Sequence, residues 1–96
     1  MPIYISLMTY TDQGLRNIKE SPSRFDAARK VAEELGGNMG PLYLTMGTYD
    51  LVAISQFPDD ATAATFVLRI GALGNVRTTS VKAFHEKEYR KIVEAV

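Results

Sequence analysis

The sequence contains no cysteine and no tryptophan, and it has a single histidine among its 96 residues. Without cysteine there are no disulfides and no thiol chemistry, which is typical of a reducing cytoplasm, where we expect this protein. One histidine and scattered carboxylates do not give the spacing of a transition-metal site, so no metal is expected. No phosphate-binding loop, dinucleotide fingerprint or serine-nucleophile motif occurs either, so the sequence predicts no cofactor.

An excess of charge of either sign is also missing, because 11 basic residues balance 11 acidic ones. A chain without a basic excess lacks the electrostatic footprint of nucleic-acid binding, so no nucleic-acid partner is expected. No apolar run reaches the length of a membrane span and no signal peptide is visible, so no membrane partner is expected. With 46% hydrophobic residues, residues 1–96 are expected to form one α+β domain with a thin core.

Alternating and helical patterns predict the order strand, helix, strand, strand, helix, strand, helix. The predicted segments are Ile3–Tyr10, Ser21–Leu35, Leu42–Met46, Leu51–Phe57, a helix from Pro58 to about Gly71, Val76–Phe84 and His85–Val96. Ser21 is expected to cap the first long helix. Leu68 and Leu73 are expected to widen the buried stripe of the second. Short, right-handed connections then favour a ferredoxin-like βαββαβ fold, a four-stranded antiparallel sheet with both main helices on one face.

The hairpin between the second and third strands contains the most distinctive motif, Gly47-Thr48-Tyr49-Asp50. Gly47 can adopt a positive φ without a Cβ penalty, and Asp50 can accept a backbone N–H across the turn. We therefore expect Gly47 to have a positive φ.

This G-x-Y-D motif lies among three further segments that occur in a fixed order. They are Tyr10–Leu15, Ser21–Arg24 and Gly71–Thr79. Together the four segments resemble the GYD-domain family, from about Ile3 to Phe84. The resemblance implies a ferredoxin-like domain that pairs into a dimeric α+β barrel, and no reaction is attached to the family. The hairpin and the late Val-Arg-Thr-Thr strand also resemble the ligand-sensing domain of the feast/famine transcription regulators.

The predicted sheet has one face without helices. Alternation offers five residues for that face: Tyr4, Met8, Tyr10, Tyr43 and Thr45. An exposed aromatic face of this size is rare on a monomer, whereas a second copy would cover it with two-fold symmetry. The sequence therefore predicts a homodimer or a higher homo-oligomer.

Candidate functional residues gather around the hairpin. The ligand-binding candidates are Gly47, Tyr49, Asp50, Tyr43 and Tyr10, which would suit a small amphipathic ligand. The alternative for Asp50 is a purely structural role as a backbone cap.

The catalytic candidates are weaker. His85 could act as a base or be an exposed strand-end residue, and Arg77 could bind an acidic ligand or protect an edge strand. Tyr10 is the third candidate.

Three functions remain open on the sequence. The first is a small-molecule-binding or sensing module that works as a sheet-to-sheet homo-oligomer. The second is a cofactor-independent small enzyme of the monooxygenase or isomerase type. The third is a purely structural assembly unit. A pocket with convergent polar groups favours the first two, whereas a solid core favours the third.

Overall fold

The computed structural model describes all residues from Met1 to Val96. The chain forms four strands and four α-helices, with a single 3₁₀ turn at Ile18–Glu20. In order they are β1 (Ile3–Tyr10), α1 (Asp12–Arg16), α2 (Ser21–Glu34), β2 (Asn38–Leu44), β3 (Leu51–Gln56), α3 (Asp60–Ala72), β4 (Val76–Ala83) and α4 (Glu86–Glu94). None of these helices has the length and apolar character that a bilayer span requires.

The strands form one antiparallel sheet in the order β2-β3-β1-β4. β1 is central, so that Ile5 lies opposite Ile54 of β3 on one side and Val81 of β4 on the other. The ferredoxin-like α+β fold predicted from the sequence is confirmed. β2 and β4 are the edge strands, and each is therefore available for further contacts.

The core lies between the sheet and the two long helices. Phe57, which is 1% exposed, is its largest fully buried side chain. Its ring centroid lies 5.0 Å from that of Phe66 on α3 and 6.1 Å from that of Tyr4 on β1. Phe25 and Ala32 of α2 complete the apolar layer. This cluster anchors α3 against the sheet.

The open face of the sheet, on the side without α2 and α3, differs from the prediction. Tyr4 and Met8 are buried beneath the helices, and the Tyr10 hydroxyl shares a hydrogen bond of 2.8 Å with Ser21 on α2. Tyr43, 55% exposed, does lie on the open face, because it pairs with Val52. The open face is mainly aliphatic, and its apolar side chains are Ile3, Ile5, Leu7, Tyr43, Val52, Ile54, Val81 and Ala83.

The prediction was wrong for the β1 residues Tyr4, Met8 and Tyr10 because both faces of β1 are apolar. Alternation separates the two sets of side chains but does not say which set faces the helices. The structure places the larger aromatic and methionine side chains against the helices and the branched aliphatic ones on the other side.

Two local predictions about helices were also wrong. Ser21 does not cap α2, because a 3₁₀ turn precedes the helix and the Ser21 hydroxyl bonds Tyr10 instead. Leu68 and Leu73 are 73% and 62% exposed, so they do not widen the buried stripe of α3. The predicted start of α3 is confirmed, since the Asp59 carboxylate accepts the Thr62 N–H at 2.8 Å.

The second strand begins earlier than predicted. β2 starts at Asn38 rather than Leu42 and contains an irregularity between Met39 and Leu42, where its register with β3 shifts. Pro41 lies inside this irregularity on an edge strand, which is where a proline can be accommodated in a sheet.

Gly47 has φ +148°, which confirms the expected positive φ, and nothing lies within 4 Å of the Cβ that a substitution would add. Gly47→Val should therefore lower the free energy of unfolding by about 1–3 kcal/mol through backbone strain alone. Gly71 is the matched control. It lies in α3, and a Cβ added there would also have no atom within 4 Å. Gly71→Ala should raise stability by about 1 kcal/mol. Chemical denaturation measures both changes. An unchanged midpoint for Gly47→Val would show that valine at this position introduces no backbone strain.

Candidate functional site

A cleft of about 430 Å³ opens between α3 and the edge strand β4. Along β4, the side chains that face the helices change from buried Val76 to half-buried Thr78 and then to exposed Ser80 and Lys82. α3 and β4 therefore diverge away from the turn that joins them, and the space between them is the α3–β4 cleft. Its lining residues are Tyr4, Ser6, Ser55, Phe57, Asp60, Ala63, Ala64, Val67, Leu68, Ser80 and Lys82.

The floor of the α3–β4 cleft carries one serine from each of three adjacent strands. Ser6 of β1 lies directly opposite Ser80 of β4, and their Oγ atoms are 3.4 Å apart. Ser55 of β3 is 4% exposed and makes no side-chain hydrogen bond to the hydroxyls beside it. Because serine is small and its hydroxyl both donates and accepts, these residues leave room above the sheet and offer polar contacts to whatever enters.

The wall of the cleft is apolar. Val67 and Leu68 project from α3 toward it together with Ala63 and Ala64, and Phe57 closes the inner end. The exposure of Leu68 is explained by this position, since it borders the opening instead of packing on the sheet. The cleft thus has a hydroxyl-bearing floor and an aliphatic wall.

A network of three residues lies at the end of the cleft where α3 begins. The Tyr4 hydroxyl donates to Asp60 Oδ1 at 2.6 Å. Lys82 Nζ lies 3.1 Å from Asp60 Oδ1 and 3.3 Å from Oδ2. Asp60 is the first residue of α3, where the positive end of the helix dipole also favours a carboxylate. The network joins the central strand, the helix and the edge strand.

The protonation states of this network follow from its contacts. Burial, the hydrogen bond to Asp60 and the charges of Asp60 and Asp59 together raise the pKa of Tyr4 from its ordinary value of 10.0 to about 12. The hydrogen bonds from Tyr4 and then Lys82 lower the pKa of Asp60. At neutral pH the phenol therefore stays a neutral donor and Asp60 stays a carboxylate, so neither exchanges protons readily. This geometry suits binding better than acid–base catalysis.

The hairpin residues predicted to bind a ligand make backbone contacts in this chain. Asp50 Oδ2 accepts the Tyr10 N–H at 2.9 Å, and the Asp50 N–H donates to the Met8 carbonyl at 2.8 Å. The Tyr49 carbonyl accepts from the Thr45 hydroxyl at 2.6 Å. The Asp50 carboxylate thus accepts a backbone N–H, as in the structural alternative to ligand binding, but the N–H belongs to the neighbouring strand β1 and not to the hairpin turn.

The structure does not bring the five ligand-binding candidates to one place in a single chain. Tyr10 lies under α2, whereas Tyr43 lies on the open face, on the other side of the sheet. Gly47 and Tyr49 remain at the end of the hairpin. A common ligand for all five stays a prediction from the sequence.

The three catalytic candidates are also dispersed. His85 is exposed at the start of α4, without a side-chain cap. Arg77 is exposed on the open side of β4, opposite Thr9. None of the three lines the α3–β4 cleft, and the Tyr10 hydroxyl instead contacts Ser21 on α2.

The GYD-domain family model matches residues 4–93 of the chain. This chain belongs to the GYD-domain family. Among its relatives is the glutamine synthetase and cystathionine beta-lyase binding protein of Thermus thermophilus. The two are 30% identical over 84 residues, which cover 86% of this GYD domain and 88% of the relative.

Solved structures agree with the fold of this GYD domain. A crystal structure of a protein from Thermus thermophilus matches 88% of the chain and 95% of its own, with a TM-score of 0.57 and 25% identity. The leucine response regulatory protein of Mycobacterium tuberculosis matches with a TM-score of 0.58 and 20% identity. A feast or famine regulatory protein of the same organism, complexed with L-methionine, has a TM-score of 0.59 and 20% identity. Each of these two matches spans 88% of the GYD domain and 51% of the regulator, so about half of each regulator chain shares this fold.

Sequence reasoning did not find the cleft of this GYD domain. A signal was present, because Ser6 and Ser55 lie on the same inward faces of their strands as buried apolar residues. Small polar residues at inward positions indicate either a buried hydrogen bond or a cavity. The signal needed the correct inward face of β1, which alternation alone did not supply.

The raised pKa of Tyr4 gives a direct test of the network. In alkaline difference spectra of the parent, one of the five tyrosines should ionise with a pKa of about 12. Tyr4→Phe should remove that late component. Because the folded-state pKa exceeds the ordinary 10.0, stability should fall as pH rises from about 10 to about 12, and fall less in Tyr4→Phe. A Tyr4→Phe spectrum that keeps the late component would assign it elsewhere.

The lowered pKa of Asp60 predicts that the stability of the fold decreases at low pH. Its lowered pKa means that its contribution to stability is complete above the ordinary value of 3.8 and is lost as pH falls below it. Asp60→Asn should reduce stability at pH 7 and flatten the acid limb of the stability curve. Glu33→Gln on α2 is the control, since Glu33 is exposed and takes part in none of these contacts. Parallel acid limbs for Asp60→Asn and the parent would contradict the network.

Proposed function

We propose that this GYD domain is a small-molecule-binding or sensing module that works as a sheet-to-sheet homo-oligomer and holds a small amphipathic ligand in the α3–β4 cleft. The observation that carries the proposal is the cleft itself. At about 430 Å³ its volume lies in the range of known small-molecule sites, roughly 300–1,000 Å³.

The composition of the cleft supports an amphipathic ligand. The polar end of such a ligand would meet the hydroxyls of Ser6, Ser55 and Ser80, while its apolar end would lie along Val67 and Leu68. The ion pair of Asp60 with Lys82 leaves the mouth without net charge, so the site does not demand a strongly charged ligand. A few placed polar groups on an otherwise apolar surface are what orient ligands in such sites.

The relatives support binding more than chemistry. By its name the Thermus relative is a binding protein for two enzymes, and the two structural neighbours from Mycobacterium tuberculosis are regulators, one of them complexed with L-methionine. A cofactor-independent enzyme of the monooxygenase or isomerase type remains the alternative, and it would use the same cleft. The hydrogen-bonded states of Tyr4 and Asp60 favour binding.

The open face supports the homo-oligomer. Seven branched or aromatic side chains and Ala83 lie on the open face, and all four strands contribute to this set. Contiguous apolar surface of this kind is uncommon on a stable monomer, and a second copy of the same sheet would bury it symmetrically. A cytoplasmic location stays a prediction from the cysteine-free sequence.

Ligand binding is tested by filling the cleft. Native and denaturing mass spectra of the parent as purified from cells should differ by the mass of a retained ligand. Ala64→Trp should abolish that difference, because Ala64 is exposed and lines the cleft. Ala61→Trp is the control on the same helix, exposed but outside the lining. A retained mass that survives in Ala64→Trp would move the ligand elsewhere, and no retained mass together with no thermal shift from C4–C10 alcohols, acids and amines would defeat the proposal.

Tyr43→Asp tests the sheet-to-sheet contact. A charge at this open-face position should weaken the homo-oligomer by a factor of about ten or more, since an unpaired charge would be buried. Ala27→Asp on the exposed side of α2 adds the same charge and should leave the association unchanged. Sedimentation at micromolar concentration measures both. A parent that sediments as a stable monomer would exclude the homo-oligomer, and equal masses for parent and Tyr43→Asp would remove Tyr43 from the contact.

A further inference from the structure

The C-terminal helix α4 is strongly amphipathic. Its apolar side carries Tyr89, Ile92 and Val93, which are 57%, 48% and 51% exposed. Its other side is charged, and Arg90 Nη2 lies 2.8 Å from Glu86 Oε2. An apolar stripe of this kind on a surface helix normally faces a core.

No core of the same chain receives that stripe. α4 has no substantial packing against any other helix or strand of the chain, and none of its residues is buried. A helix of nine residues is too short to be stable in water by itself, since isolated helices below roughly 12–15 residues are marginal. The apolar side of α4 is therefore left uncovered by its own chain.

The size and shape of the chain indicate how large that surface is. A compact monomer of 10.6 kDa exposes about 5,500 Å², whereas this chain exposes 6454 Å². The excess of about 1,000 Å² is similar to the roughly 800 Å² that each partner buries in a standard protein interface. The radius of gyration, 14.3 Å, likewise exceeds the value of about 12.5 Å for a compact domain of this length.

The position of α4 favours a second copy as the partner. A groove at the end of β4 is lined by Ala83, Phe84, Tyr89 and Ile92, together with Lys82 and Glu86. Ala83 belongs to the open face, where it pairs with Ile3. The apolar side of α4 and the open face therefore meet at Ala83 and form one continuous apolar surface, which a small ligand could not cover.

We propose that α4 is a clasp that packs against a second copy of this chain when two open faces pair, so that Tyr89, Ile92 and Val93 become buried in the homodimer. The clasp rests on the homo-oligomer proposed above. It adds a distinct contact surface outside the sheet, and it explains how a nine-residue helix with no partner in its own chain is kept folded.

The test compares two double variants of α4. Ile92→Gln/Val93→Gln removes the apolar side, and Lys87→Gln/Lys91→Gln makes the same replacement on exposed lysines of the helix. The apolar variant should raise the dissociation constant of the homodimer by about tenfold or more, because two branched side chains lose their burial. The lysine variant should change it by less than about threefold. Since α4 hardly contacts its own chain, both variants should keep the fold, which far-UV circular dichroism checks.

A second measurement reports on the burial of α4 directly. The chain has no cysteine, so Val96→Cys, at a fully exposed position four residues after Ile92 and outside the three clasp residues, can carry a single environment-sensitive fluorophore. Its emission should shift to the blue as the protein is concentrated through the dissociation constant. A parent homodimer with unchanged affinity in the apolar variant, or with emission independent of concentration, would overturn the clasp and leave the sheet-to-sheet dimer intact. A monomeric parent would overturn both.

Discussion

Two helices can cover only one face of a four-stranded sheet, and this constraint governs the rest of the structure. α2 and α3 cover the side of β1 that carries Tyr4 and Met8, and Phe57 holds them there. The opposite side keeps a full set of branched aliphatic residues, among them Ile5 and Ile54. Small domains hide only about 60–65% of their unfolded surface, and here the side without α2 and α3 stays partly exposed. A second copy of the same sheet, as proposed above, would cover this side with two-fold symmetry.

The same constraint produces the cleft. Phe66 anchors α3 in the core against Phe57, and α3 diverges from the edge strand β4 away from the turn that joins them. The small serine side chains at the inward positions of three strands deepen the cleft. The hydrogen bonds of Asp60 to Tyr4 and Lys82 connect α3 to β1 and β4 at its opening. The cavity is therefore a consequence of where α3 is anchored and of which small residues lie beneath its free side.

The order of the elements, the hairpin turn and the start of α3 could be predicted from the sequence, because Gly47 and Asp59 each have a local chemical reason for their position. The inward face of β1 could not be predicted, since both faces of this strand are apolar and only packing distinguishes them. The site was missed for a related reason. Tyr4 and Asp60 are 56 positions apart, and Asp60 and Lys82 are 22 apart. Their contact depends on the register of β1 with β4 and on the first residue of α3, which no local pattern encodes.

The aspartate of the G-x-Y-D motif extends the sheet beyond its strands. β3 begins at Leu51, yet the Asp50 N–H bonds the Met8 carbonyl and the Asp50 carboxylate accepts the Tyr10 N–H. A side chain thus continues the β1–β3 ladder where backbone pairing ends. The amide proton of Tyr10 should consequently be as protected from solvent exchange as those in the middle of the sheet, although it lies at the last residue of β1. In this chain the G-x-Y-D motif therefore reinforces the end of the central strand β1 and fixes the hairpin beside it.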